Sequence, residues 1–149
     1  MNALRWFGLA AVLGSLHAAV SLYWALGGVW LLDTVSPAAV AAVRQSPLGE
    51  SLTLLAVAAF KAAAALAPWA NAQGGLPWPA FWRRVAWLGG GFLLLYGAAN
   101  ALGAAGVLLG WWQGGDSPRP ALLGHALLWD PLFALWGAAL LCALWLSRP

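Results

Sequence analysis

Four long apolar stretches separated by three polar linkers dominate the chain. The stretches run over residues 6–32, 52–70, 85–112 and 121–147. Each approaches or exceeds the roughly 20 apolar residues that a helix needs to cross a hydrocarbon core. The linkers are rich in turn formers. Residues 71–79 read Asn-Ala-Gln-Gly-Gly-Leu-Pro-Trp-Pro, and 113–120 read Gln-Gly-Gly-Asp-Ser-Pro-Arg-Pro. The first linker, 33–51, contains Pro37, Pro47 and an Ala/Val segment over 37–43, expected as a short helix or ordered turn resting on the outer surface rather than a fifth span. The pattern therefore predicts an all-α fold: one integral membrane four-transmembrane-helix bundle occupying residues 1–149, with no separate soluble domain.

Composition strengthens this reading. Hydrophobic residues make up 63% of the 149 positions and charged ones 7%, against roughly 25% charged in soluble domains. The mean hydropathy is +0.80. Seven Lys/Arg against four Asp/Glu give a net positive charge. The cations are scattered, with no run longer than Arg83-Arg84, so no basic patch for nucleic acid exists. Arg5 followed by an apolar run resembles a signal peptide, but the run is far longer than such a segment needs and lacks a clean small-residue cleavage pattern. It is expected to stay as the first span.

The cations instead carry topology. Arg5, Arg83, Arg84 and Arg148 fall on one side, and Arg44 and Arg119 fall on the other with Asp33, Glu50 and Asp116. Cytoplasmic loops are enriched in Lys and Arg, so Met1, Pro149 and the second linker are expected in the cytoplasm. Trp6, Trp30, Trp69, Trp82, Trp87, Trp111, Trp112 and Trp145 sit near the predicted span ends, where amphipathic indoles prefer the headgroup level. Small residues predict helix contacts, since close backbone approach supplies dispersion inside lipid. Ala99-x3-Gly103 and Gly106-x3-Gly110 in the third span, and the alanines following Phe60-Lys61 in the second, are read as such faces. Cys142 is alone, with no CxxC or metal spacing, and is expected as a small buried residue.

Ionisable groups inside a bilayer are costly and face the bundle interior. His17, Lys61, His125 and Asp130 are the groups concerned, with Ser21, Tyr23, Tyr96 and Asn100 as polar company. Lys61 lies near the middle of its span, roughly 13 Å from either end at 1.5 Å per residue, beyond comfortable snorkelling. Asp130 comes out at a similar depth, so a Lys61–Asp130 pair is expected. Asp130-Pro131 also matches a helix start, with Asp as N-cap and Pro at the first position; the competing reading is a proline kink within one longer helix. His17 near the midplane reads as a core histidine bonded to a carbonyl or hydroxyl, with proton handling as the functional alternative. A haem pair with His125 is poorly matched in height, and a Ser21–His17–Asp130 triad lacks any nucleophile motif. No metal set and no cofactor are expected. Trp24, Trp129 and Trp136 lie deep, either as core or, for Trp24 and Trp129, as walls of a pocket.

His17 with Tyr23-Trp24-Ala25-Leu26-Gly27-Gly28, and Leu128-Trp129-Asp130-Pro131-Leu132-Phe133 in the fourth span, resemble a family of small bacterial four-helix membrane proteins catalogued only as a domain of unknown function. The resemblance covers nearly the whole chain. It implies a four-span bundle in a bacterial membrane and supplies no activity; the expected location is the inner membrane, with multiple passes.

Three functions compete. One is a binding or accessory protein holding a lipid-like or small amphipathic ligand in a Trp-lined pocket built from His17, Ser21, Trp24, Lys61, Asn100, Trp129 and Asp130. The second is a small proton-coupled transporter using Lys61, Asp130 and His17, although no inverted repeat is visible. The third is a lipid-modifying enzyme, for which no catalytic residue can be assigned. Elimination favours binding. The expected partners are membrane lipids, a hydrophobic small molecule, and a second copy or larger membrane complex.

Overall fold

A computed structural model describes residues 2–113 and 116–148; Met1 and Pro149, whose sidedness was expected to match, lie outside the described residues. Among the described residues the chain is wholly helical. Helix α1 is Ala3–Ala25, α2 is Pro37–Gln45, α3 is Pro47–Ala72 and α4 is Pro79–Leu108. The last span runs Arg119–Leu146 in three pieces: α5 (Arg119–Gly124), a π turn (His125–Trp129) and α6 (Asp130–Leu146). Four helices, α1, α3, α4 and this composite, are long and apolar enough to cross a membrane.

Two span ends differ from expectation for one reason. The apolar run continues past Ala25, but Gly27 takes φ +94° and the chain turns back. Gly27 N–H donates to Trp24 O and Gly28 N–H to Tyr23 O, each at 3.0 Å. These are the two bonds of a Schellman ending, which needs a left-handed residue after the cap. Gly110 at φ +74° ends α4 the same way, with Trp111 N–H donating to Gly106 O. Hydropathy extends through both turns because the residues beyond them, Val29 to Leu32 and Trp111-Trp112, are also apolar. At the other ends, Pro47 and Pro79 sit in the first helical turn, where a missing N–H costs nothing. Arg83 and Arg84 are therefore on α4 rather than in a loop.

α1 packs along both α3 and α6, and α4 packs along α6, while α3 and α4 touch each other only lightly. The bundle is thus a row, α3–α1–α6–α4, with α1 and α6 at its centre. Burial agrees: 39% and 44% of the most apolar windows of α1 and the last span are buried, against 11% for α3 and α4. Toward the Arg83 end, Phe7, Ala65, Trp136, Leu140 and Leu144 form the main core. At the opposite end, Trp24, Leu32 and Trp129 form a second one, covered by Ala39, Val40 and Val43 of α2. α2 is capped by Ser36, whose hydroxyl accepts from Ala39 N–H at 3.0 Å, and extends the segment expected over 37–43 to Gln45.

The α4–α6 crossing uses small residues other than those expected. Ala86, Gly90, Gly97 and Ala104 are buried, spaced four, seven and seven, and Gly90 and Gly97 lie against Leu141 and Ala134 of α6. A Cβ on Gly97 would fall on Asp130 O and Ala134 N, so only glycine permits this approach. Ala99 is exposed and a Cβ on Gly103 would meet nothing, so Ala99-x3-Gly103 does not form a contact face. In α3, Ala58 and Ala65 are buried, seven residues apart, with a Cβ on Gly14 of α1 striking Ala65 Cβ. Cys142 is exposed on α6, not buried as expected.

Candidate functional site

The polar groups inside the bundle fall into two sets. In the first, His17 and Ser21 stand one turn apart on α1, 3% and 1% exposed. Residues four apart share a helix face. Lys61 lies on the same face of α3 as Ala58 and Ala65, so its side chain is directed toward α1. Lys61 Nζ donates to Ser21 Oγ at 3.0 Å and stands 5.5 Å from the centre of the Phe133 ring. His17 stacks on that ring, centroids 3.8 Å apart and planes 18° off parallel. Its Nε2–H donates to Trp129 O at 3.1 Å. A hydroxyl and an aromatic face are thus the partners of Lys61, and Phe133 is the hub between cation and imidazole.

The second set contains the carboxylate. Asp130, 1% exposed, does not meet Lys61: its Oδ2 lies 2.8 Å from His125 Nδ1. The expected Lys61–Asp130 pair is therefore corrected. The cause is the backbone. On an α-helix, residues five apart are about 140° apart around the axis, so His125 and Asp130 would point in different directions. The wider turn at His125–Trp129 removes most of that offset and brings both side chains to one face. Only Asp130 separates it from Pro131, which has no N–H to give to the previous turn. The proline-in-a-longer-helix reading holds, with a π turn as its local form, and Asp130 is not the N-cap of a separate helix.

His125 Nε2–H donates to Val35 O at 2.9 Å. One imidazole thus faces a carbonyl, which only accepts, and a carboxyl group. Either the ring is doubly protonated against a carboxylate, or a neutral ring accepts from a protonated acid. The pair is neutral overall in both forms, which makes a nearly inaccessible carboxyl tolerable. His125 itself is 37% exposed.

This pair forms the floor of a cleft of about 410 Å³ between α4 and the head of the last span. Ala99, Gly103 and Val107 give one apolar wall. Asn100, Ser36 and Ser117 give polar edges. Asn100 is exposed and its amide donates to Tyr96 O at 3.0 Å, so it belongs to this cleft and not with His17, Ser21 and Lys61. Trp24 and Trp129 do not line this cleft. They pack edge-to-face at 5.3 Å, both buried, and their N–H groups are taken by Trp30 O and Thr34 Oγ1. They are core, as is Trp136.

Sequence reasoning counted His125 among the intramembrane ionisable groups but left it out of the site, and gave Phe133, Thr34 and Val35 no role. For His125 and Phe133 a signal existed in the proline beside Asp130, which marks an irregular turn. For Thr34 and Val35 there was none, because their contacts bridge the first linker to the last span.

Both sets lie within residues 14–140, which match the model of the family described as protein of unknown function (DUF3995). The chain belongs to that family. Its DUF3995 segment takes in α3 and α4 whole, the later part of α1, the π turn, the α2 cover and α6 as far as Leu140, and leaves out Arg5 and Arg148. No curated protein and no solved structure matches the chain.

Proposed function

We propose that the chain is a multi-pass protein of the bacterial inner membrane, with the Arg83 end in the cytoplasm. It binds a small amphipathic, lipid-like molecule in the outward cleft. The observation that carries this reading is the His125–Asp130 pair at the floor of that cleft. Ligand sites combine apolar walls with a few fixed polar groups, and this cleft has that make-up. The neutral pair and the Asn100 amide favour an uncharged, hydroxyl-bearing head, with the chain lying along Ala99, Gly103 and Val107.

The competing functions fit less well. A relay through Lys61, Asp130 and His17 would need those groups in sequence, yet Lys61 turns to Ser21 and Asp130 to His125. A lipid-modifying enzyme would want a base with a free nitrogen, and both ring nitrogens of His125 are engaged.

Photo-crosslinking tests the reading. A medium-chain monoacylglycerol carrying a diazirine should label peptides from α4 and α5 in the purified protein. Asn100→Trp, which fills the cleft from an exposed position, should abolish that labelling without lowering the melting temperature. Unchanged labelling in Asn100→Trp would reject the cleft as the binding site.

A further inference from the structure

At the opposite end of the bundle, the light contact between α3 and α4 leaves open space. Its upper part is an apolar slot of about 290 Å³ lined by Phe60, Ala64, Trp82, Gly89 and Leu93. Its lower part is a cavity of about 490 Å³ where four helix ends converge, lined by Leu4, Phe7, Asn71, Arg83 and Ser147. Pro68 and Ala86 line both, so the two spaces adjoin. Between Phe60 and Pro68, or Val85 and Leu93, the slot follows its helices for about 12 Å.

Three polar groups along this space have unused capacity. Arg83 Nη1 donates to Ser147 Oγ at 2.9 Å and Nη2 to Leu144 O at 2.6 Å, which leaves three of its five donors free. Asn71 Nδ2 donates to Pro79 O, which fixes the amide's orientation, and its buried Oδ1 accepts from nothing. Trp82 Nε1 is buried with no acceptor. Buried polar atoms are normally satisfied. Of the three orphans among the described residues, Trp136 Nε1 lies in the core. The other two stand one beside each of these adjoining spaces and point to an occupant. That occupant must offer an anion to Arg83, a donor to Asn71, an acceptor to Trp82 and an apolar chain to the slot.

We infer that one glycerophospholipid from the surrounding membrane is seated between α3 and α4. Its phosphate meets the Arg83 guanidinium, which suits phosphate geometry. The ammonium or glycerol hydroxyl of its head donates to Asn71 Oδ1. An ester carbonyl accepts from Trp82 Nε1, and one acyl chain fills the slot. This site lies at the other end of the bundle from the His125 cleft and does not depend on it.

Native mass spectrometry of the delipidated full chain, given phosphatidylethanolamine or phosphatidylglycerol, tests the inference. Wild type should retain one phospholipid. Gly89→Phe should reduce retention by about tenfold or more, because a Cβ there meets nothing and the ring would enter the slot. Arg83→Gln should do the same, since one lost charge-assisted contact is worth roughly that factor. Asn100→Trp should leave retention unchanged, separating this site from the other cleft. Millimolar inorganic phosphate should not displace the lipid, because the slot contributes to binding. Retention unaffected by Gly89→Phe, or displacement by phosphate alone, would overturn the inference. So would Gly89→Cys forming a disulfide between two copies in lipid, which would show that a second chain covers this face.

Discussion

His125 Nδ1 and Asp130 Oδ2 lie 2.8 Å apart across a five-residue separation that an α-helix would turn to different faces. The π turn that joins them also presents Trp129 O to His17, so one irregular turn of backbone serves both polar sets. π turns inside helices occur often at functional sites, and this one lies beside the cleft.

The two partners are unequally exposed, and this sets the first expectation. His125→Ala leaves a buried carboxyl without its partner, a loss of about 3–5 kcal/mol if the group stays charged. Asp130→Asn keeps the shape and a hydrogen-bonding group beside a half-exposed ring, at about 1–2 kcal/mol. Melting in detergent should therefore rank His125→Ala well below Asp130→Asn. An alanine double-mutant cycle on this pair should show coupling of about 1–3 kcal/mol, while a Lys61/Asp130 cycle should stay within about 0.5 kcal/mol. The reverse ranking of the two cycles would mean that Asp130 pairs with Lys61 after all.

Lys61 offers a second contrast. Ser21→Ala removes the hydroxyl that accepts from Nζ and leaves the ammonium only the Phe133 face, at about 1–3 kcal/mol. Lys61→Met removes the charge along with the need for a partner. Replacing a buried polar pair by apolar residues of similar volume is often neutral or stabilising, so Lys61→Met with Ser21→Ala should melt no lower than Ser21→Ala alone. A double variant clearly less stable than either single one would show that the ammonium has another, stronger partner.

Much of this was legible in the sequence, and the gaps have physical causes. Hydropathy found the four spans because each is a nearly unbroken apolar run. It overshot at Gly27 and Gly110 because apolar residues continue beyond the Schellman turns. The inward placement of Lys61 followed from its depth alone. Its partner did not, because counting residues along a helix gives height and not direction, and the π turn changes direction. Ala99-x3-Gly103 matched a packing motif, yet Gly97 and Gly90, with Gly137 of α6, bring α4 onto α6, which no spacing rule distinguishes among the many small residues of these spans.

That distinction leads to a third test. Gly97→Ala would force a methyl group onto Asp130 O and Ala134 N. Backbone cannot yield as a flexible side chain does, and overpacking costs about 1–3 kcal/mol. Gly103→Ala meets empty space and gains helix propensity, up to about 1 kcal/mol. The first should lower the melting temperature and the second hold or raise it. Because Gly97 supports the Asp130 backbone, Gly97→Ala should also weaken monoacylglycerol labelling of the cleft. Equal melting of the two variants would show that α4 does not lie on α6 through Gly97.

Sidedness can be settled on a Cys142→Ser background, which removes the one native thiol. Arg83 reaches Leu144 O and Ser147 Oγ, and the cavity beside it is lined by Ala3, Asn71 and Pro79. The start of α1, the turn from α3 to α4 and the end of α6 therefore share one end of the bundle. Val35, Ser36, Ser117 and His125 share the other. Single cysteines at Asn2, Arg84 and Ser147 should react alike toward a membrane-impermeant maleimide, and those at Arg44 and Asp116 oppositely. The Arg-rich end is expected in the cytoplasm, because short loops there carry the cationic excess. In intact cells the Arg44 and Asp116 positions should then label, and the other three only after permeabilisation. If Asn2 and Ser147 reported opposite sides, the four-span bundle itself would fail. If all five reported their groups with the sides exchanged, the bundle would stand and the charge argument would be wrong, placing the His125 cleft on the cytoplasmic face.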